Sequence, residues 1–286
     1  MDVKHLVLAL SIVAPTLAFV YWALVITEGA YFGRRLVTRL YDRGAGSYDG
    51  IKAFDVTEDA WFLGIPMTRN LAGVQHPLAL DVATGTGRMA LSLLRQLTFD
   101  GHVVGLDVSQ EMLKIARRKT QRYTGRVTLV WKDATRLPFG DECFDAVSCV
   151  EALEFLPQPR ATLAEMERVL RPGGSFLVTN RIGWERYVMP GRAFMPARLE
   201  AMLVDLGLER VWTKPWQTYY DLIWARKPGT LTDRGTLPAL TEILRCPFCG
   251  NDRLDDGNSI LMCQACDRRY VWRQGVLDFE TNSNQR

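Results

Sequence analysis

Three aspartates close three apolar runs. Asp81 ends Leu78-Ala79-Leu80-Asp81-Val82, Asp107 ends His102-Val103-Val104-Gly105-Leu106-Asp107, and Asp133 follows Arg126-Val127-Thr128-Leu129-Val130-Trp131-Lys132. Just after the first come Gly85 and Gly87 and then an apolar-periodic segment, so the stretch predicts a strand, a ligand loop and a helix N-terminus. Glycine suits the loop because a residue without Cβ lets the backbone turn sharply and approach a ligand, while the helix start offers unpaired N–H donors. By itself Gly85-x-Gly87-x-x-Ala90 also fits the dinucleotide loop of NAD enzymes. Charge separates the two readings: Asp81 lies four residues before Gly85, where it would repel a pyrophosphate but attract an ammonium and a nearby sulfonium. The expected cofactor is S-adenosylmethionine, with Asp81, Gly85 and Gly87 at its methionine end, Asp107 on the ribose hydroxyls and Asp133 on the adenine amino group.

Two further groups carry chemistry. Cys246-Pro-Phe-Cys249 and Cys263-Gln-Ala-Cys266 are two Cys-x-x-Cys turns separated by thirteen residues. Each turn presents two thiolates to one ion, and together they predict a closed, tetrahedral, structural zinc site. A redox dithiol is the alternative, and neither pair has the thioredoxin-like strand-helix-strand setting it would need. The other two of the six cysteines, Cys143 and Cys149, read as a loop thiol and a core residue. In the loop after the fourth apolar run, Glu151 and Glu154 are the titratable candidates for a general base, with a rim carboxylate as the bland alternative. His5, His76 and His102 flank the N-terminal run or precede strands at the far edge of the expected sheet.

The elements that must position these residues follow from periodicity. Strands are expected at about 78–83, 102–107, 126–131, 144–150 and 174–180, and helices near 87–97, 109–121, 160–170 and 194–206. Two extended segments, 208–214 and 218–227, then predict an antiparallel hairpin. The fold class is α/β: a Rossmann-like, seven-stranded, mostly parallel sheet with helices on both faces and a C-terminal antiparallel hairpin. Residues 6–27 are 22 residues without a charge, about 33 Å long as a helix at roughly 1.5 Å per residue, enough for a transmembrane helix. A signal peptide or a buried core helix are the alternatives. Arg34, Arg35, Arg39 and Arg43 follow the run and only Lys4 precedes it, which would put the bulk of the chain on the cytoplasmic side of a single-pass membrane protein. The expected organisation is an anchor over 1–29, a helical cap segment over 30–76, the cofactor domain over 77–227, a linker over 228–241 and a zinc ribbon over 242–286.

On these residues the chain resembles the class I S-adenosylmethionine-dependent methyltransferases over roughly 40–226. Asp81-Val-Ala-Thr-Gly-Thr-Gly87 resembles their first motif, Gly105-Leu-Asp107-Val-Ser its successor, Asp133-Ala-Thr-Arg-Leu-Pro-Phe139 the third, and Arg168-Val-Leu-Arg-Pro-Gly-Gly174 the turn before their fifth strand. The resemblance implies cofactor contacts from Ala83, Val108, Met112, Ala134 and Val150 besides the acids and glycines. Tyr41-Asp42 through Tyr48-Asp49 resembles the entry segment of the ubiquinone and menaquinone biosynthesis methyltransferases, which implies a cap over the cofactor and a wall of the acceptor pocket. Leu244 to Tyr270 resembles the zinc ribbon of the activator of tRNA and release-factor methyltransferases, which implies a protein partner as one role for the ribbon. Val271-Trp-Arg-Gln-Gly275-Val-Leu departs from that family's pattern.

Composition narrows the acceptor. With 35 basic and 32 acidic residues the net charge is +3, and 48% of residues are hydrophobic, enough for a full core but without the basic face a nucleic-acid enzyme needs. The expected reaction is methyl transfer to a small, hydrophobic or membrane-partitioned acceptor. RNA or protein methylation, NAD-dependent oxidoreduction and a membrane-tethered ribbon adaptor without activity are the rival readings.

Overall fold

The computed structural model describes residues 3–257 and 259–281, with the side chains of residues 3 and 6–9 outside the described set. The N-terminal part is helical: α1 (Val3–Tyr21), α2 (Arg34–Lys52), α3 (Val56–Asp59) and α4 (Ile65–Asn70). Strand and helix then alternate through β1 (Leu78–Val82), α5 (Arg88–Leu94), β2 (His102–Asp107), α6 (Gln110–Thr120), β3 (Val127–Trp131), β4 (Phe144–Cys149), α7 (Pro159–Val169), β5 (Leu170–Arg181) and α8 (Pro196–Asp205). β6 (Glu209–Gln217) and β7 (Tyr220–Arg226) form the expected hairpin. After α9 (Leu240–Ile243), four short strands complete the chain: β8 (Leu254–Gly257), β9 (Ile260–Cys263), β10 (Arg269–Arg273) and β11 (Val276–Asp278).

The expected seven strands lie in the order β6-β7-β5-β4-β1-β2-β3, with β1 to β5 mutually parallel and β7 antiparallel to β5. β1 is buried along its whole length because helices cover both faces, which is why its sequence is a continuous apolar run and not an alternating one. One face packs Leu80, Leu106, Val130 and Phe176 under Leu163, Met166, Leu199 and Leu203 of α7 and α8. The other packs Ala79, Val103, Leu177 and Trp224 under Met67 of α4 and Met89 and Leu93 of α5.

The C-terminal strands differ from the expectation of a module beyond a linker. β11 pairs in parallel with β3, Val276 opposite Leu129, Leu277 opposite Val130 and Asp278 opposite Trp131, so the sheet continues β3-β11-β10-β9-β8 to eleven strands. The hairpin that delivers β11 turns at Gln274 and Gly275, whose φ angles of +49° and +75° fit the two-residue turn that matches strand twist. Leu277, Phe279, Leu261 and Tyr270 share one core with the main sheet. Residues 228–241 are likewise tied down: Leu231 packs on the second core, and Arg234 reaches the buried Asp145 at 2.9 Å.

Among the described residues no helix is long and apolar enough to cross a membrane. The uncharged run of residues 6–27 begins with side chains outside the described set. Its described part leaves Leu10, Ile12, Val13, Leu17 and Phe19 exposed. Towards its end Trp22 stacks on Tyr31 at 5.4 Å and donates its indole N–H to the Val188 carbonyl at 2.9 Å.

Candidate active site

The loop after β1 is shaped by its own polar bonds. Ala83, Gly85 and Gly87 all have positive φ (+55°, +54° and +86°), and the Gly87 N–H donates to the Thr84 carbonyl at 2.8 Å before α5 begins. A Cβ built on Gly85 would meet no atom within 4 Å, so the space over the loop is open to a ligand, whereas one on Gly87 would sit 3.4 Å from Ala116 of α6. Gly87 therefore serves turn and packing, and Gly85 serves close approach.

Asp81 is turned into the sheet. It accepts hydrogen bonds from the hydroxyls of Thr84 at 2.6 Å and Ser148 at 3.0 Å, and it holds the loop from beneath without lining the cavity above it. Asp107 accepts from the Gly85 N–H and the Ser109 N–H, both at 2.8 Å, and does line the cavity. Burial pushes each of these carboxyls up to about 6, against the bonds each accepts.

The cavity lies at the C-terminal ends of β1, β2, β3 and β4, where open α/β sheets bind ligands. Of the cofactor residues expected from sequence, Ala83, Gly85, Asp107, Val108, Asp133, Ala134 and Val150 line it, while Asp81, Gly87 and Met112 stand behind that lining. Its roof is α2 with the loop beyond it. Tyr41, Tyr48 and Phe54 form a chain of ring contacts at 6.1 and 5.9 Å, and Tyr41 also meets Phe155 at 6.0 Å. Polar ties close this roof: Asp42 accepts from the Ser109 hydroxyl at 2.6 Å, Asp49 from Thr86 at 2.5 Å and Lys119 at 2.8 Å, and Lys52 pairs with Glu151 at 2.9 Å.

At the far end Asp133 is engaged by Arg34 at 2.5 Å and Lys132 at 3.3 Å. Burial raises its carboxyl, but Lys132, the Thr135 N–H and Arg34 bring the net shift below the ordinary range. A C-terminal residue reaches the same place: Glu280 pairs with Lys132 at 2.9 Å and with Arg34 at 3.1 Å.

The two candidate bases have different surroundings. Glu151, at φ +53°, lines the cavity and is clamped by Lys52 and by Arg88. Glu154 lies behind the lining, accepts from the Tyr220 hydroxyl at 2.6 Å and faces Arg181 at 3.5 Å, and burial raises its carboxyl. Sequence reasoning missed Arg88. Its guanidinium is buried between the rings of Phe54 at 4.3 Å and Trp216 at 4.6 Å and pairs with Asp59 at 2.6 Å as well as with Glu151. It thereby joins the N-terminal roof, the loop after β4 and the β6–β7 hairpin. The signal was present as a cation directly after Gly87, at a position that the α5 register buries.

The four C-terminal cysteines converge. Their sulfurs lie within 4.8 Å of one another, with Cys246 to Cys266 at 3.7 Å and Cys249 to Cys263 at 3.5 Å. Four sulfurs about 2.3 Å from a tetrahedral ion would stand about 3.8 Å apart, so the set fits such an ion. A larger groove of about 1090 Å³ runs between α6 and the β10–β11 hairpin, lined by Lys114, Arg117, Arg118 and Arg273, and none of the three strand-end aspartates reaches it.

Residues 80–178 match the model of a methyltransferase domain. The chain is 34% identical over 142 residues to the demethylmenaquinone methyltransferase of Clavibacter sepedonicus, covering 50% of this chain and 56% of that protein. It is 41% identical over 145 residues to the one from Symbiobacterium thermophilum, covering 49% and 57%. The chain thus spans about half the length of the curated relatives it matches. Among solved structures, a chain from the Haloferax volcanii complex of the Trm112 methyltransferase activator with a methyltransferase superposes with a TM-score of 0.53 at 23% identity, over 66% of this chain and 97% of that one. The cyclase SpnF superposes equally well, at 0.53 and 19% identity, over 68% and 96%. Such likenesses establish the fold alone, which also hosts a cyclase. The sequence matches add that residues 80–178 are similar to a methyltransferase domain.

Proposed function

We propose that the chain transfers the methyl group of S-adenosylmethionine to a small, hydrophobic, quinone-like acceptor. The observation that carries this reading is one cavity in which the Gly85 loop, Asp107 and Asp133 face a wall of Tyr41, Tyr48, Phe54 and Phe155. The cofactor supplies an already activated methyl group, so the protein's part is alignment of donor and acceptor and handling of the acceptor's proton. Asp107 would accept from the ribose hydroxyls and Asp133 from the adenine amino group, with Asp81 shaping the loop that faces the methionine end. Ring faces suit a planar apolar acceptor, and the names of the curated relatives agree with a quinone-like one. Glu151, clamped by two cations, would hold the roof closed. Glu154, bonded by the Tyr220 hydroxyl behind the lining and with its carboxyl raised by burial, is the other candidate for handling the proton.

Purified protein incubated with methyl-labelled S-adenosylmethionine and a fractionated cell extract should place label in the solvent-extractable lipids. Label confined to RNA or protein would overturn the acceptor class. Calorimetry in which NAD binds and S-adenosylmethionine does not would overturn the cofactor.

The four cysteines are assigned to one structural zinc ion with no open coordination position, testable as about one zinc per chain by elemental analysis. The N-terminal run is assigned to a membrane, with the catalytic part on the cytoplasmic side. The outward apolar side chains of α1 and the aromatic cluster at its end support this. Release of the full-length protein from membranes by alkaline carbonate would refute it.

A further inference from the structure

We infer that Glu280, carried in by the cysteine-bearing strands, is a positioning residue for the adenine end of the cofactor site. It shares with Asp133 the positive charge of Lys132 and Arg34, which pair with Asp133 at 3.3 and 2.5 Å, so that the Asp133 carboxylate keeps capacity for the adenine amino group. The inference rests on the reading of Asp133 as the adenine acceptor.

Glu280 is placed by backbone geometry. β11 pairs with β3 up to Asp278 opposite Trp131, and the Phe279 N–H donates to the Trp131 carbonyl at 3.2 Å, so the next residue falls beside Asp133. Asp278 then turns the chain by accepting from the N–H groups of Glu280 at 3.0 Å and Thr281 at 2.9 Å. From there one Glu280 oxygen accepts from Lys132 Nζ at 2.9 Å and from the Asp133 N–H at 3.2 Å, and the other from Arg34 at 3.1 Å. Both Glu280 and Lys132 are buried.

The register is anchored in the ribbon. Phe279 is fully buried and meets the Tyr270 ring edge-on at 4.7 Å, and the Tyr270 hydroxyl lies 3.1 Å from Cys246 Sγ. The cysteine cluster is thus joined through two residues, Tyr270 and Phe279, to the Glu280 carboxylate beside Asp133.

Charge explains what that carboxylate does. Among the described residues, two cations meet two carboxylates here. Neutralising Glu280 leaves both cations to Asp133, and charge-assisted bonds hold a carboxylate oxygen more strongly than a neutral amino donor can. Asp133 would then recognise adenine poorly although its own position in the chain is unchanged.

The test compares S-adenosylhomocysteine with S-inosylhomocysteine, which lacks the amino group, by calorimetry on the full chain. The wild type should prefer the adenine compound by about tenfold, the size of one hydrogen bond to a charged group. Glu280→Gln keeps the shape and an acceptor oxygen but removes the charge, and it should bring the preference to within about twofold. Adding Arg34→Gln removes the surplus cation and should restore it. An undiminished preference in Glu280→Gln overturns the inference, as do equal losses for both ligands or an unrescued double variant. A wild type that binds neither ligand overturns the proposed function itself.

Discussion

Arg88 shows how much of this site hangs on one side chain. It is 8% exposed, sits between two rings and satisfies the buried Asp59 and Glu151 together. Arg88→Met keeps the apolar stem but strips Asp59 of its cation and leaves Glu151 with Lys52, so it should destabilise the protein by about 3–5 kcal/mol, the usual size for breaking a buried pair. Urea denaturation measures it, and a loss under about 1 kcal/mol would mean the pair is screened as at a surface. The acids beside it give a pH signature. Asp81 and Asp107 titrate at about 6 in the folded chain, above the ordinary 3.8, because burial disfavours their charge, with the nearby Asp42 adding to the shift at Asp107. Between pH 4 and about 6 the folded state therefore binds more protons than the unfolded one, and the stability of the cofactor-free chain falls as pH rises through that window. In the proposed function the Asp107 carboxylate accepts from the cofactor's ribose, so affinity for S-adenosylhomocysteine should rise over the same interval, by up to about tenfold per pH unit below 6 for one proton displaced. Paired melting and calorimetry from pH 4.5 to 8 check both slopes, and a flat affinity profile would remove Asp107 from the binding surface.

At the scale of elements, α2 is where local propensity and structure part. The sequence predicts a helical cap segment over 30–76, within which Gly44, Gly46 and Gly50 each disfavour a helix by about 1 kcal/mol relative to alanine. The structure has one helix of 19 residues, held by its side-chain ties to Ser109, Thr86, Lys119 and Glu151 across the cavity. Tertiary contacts override the local propensity. Gly46 has a helical backbone and nothing within 4 Å of a built Cβ, so Gly46→Ala should stabilise the protein by about 0.5–1 kcal/mol, seen as a higher melting temperature. No change, or a loss, would mean α2 is not helical in solution. The strands were legible for the opposite reason: β1 to β4 are apolar runs whose ends are marked by acids or by a change of pattern, and their observed bounds fall within a residue of expectation. Those marks also led to the cavity residues on the strand ends. What could not be read was the pairing of β11 with β3. Edge-to-edge pairing is made by backbone groups, which carry no side-chain signature, between segments about 147 residues apart (276 − 129). The same blindness hid Glu280 and Arg34, which reach Asp133 from opposite ends of the chain.

For the molecule as a whole, the joined sheet decides how the ribbon should behave. A ribbon on a free linker would melt by itself on losing its metal and leave the larger domain intact. Here β11 covers the β3 edge, Leu277 and Phe279 are fully buried in the main core, and Arg234 ties residues 228–241 to Asp145. Loss of the proposed metal should therefore be felt at the proposed cofactor site and not only in the cysteine strands. Cys263→Ser, or a strong chelator, should abolish zinc stoichiometry and lower the melting temperature by about 5 °C or more, a few kcal/mol for a domain of this size. Tryptophan fluorescence and far-ultraviolet dichroism should report one coincident transition before and after, since the sheet is one cooperative unit. Affinity for S-adenosylhomocysteine should fall with the zinc, because the strand that carries Glu280 loses its anchor. Two separated transitions, with the cofactor still bound above the first, would show instead that the ribbon is an appended module and that the β3–β11 seam contributes little to the fold.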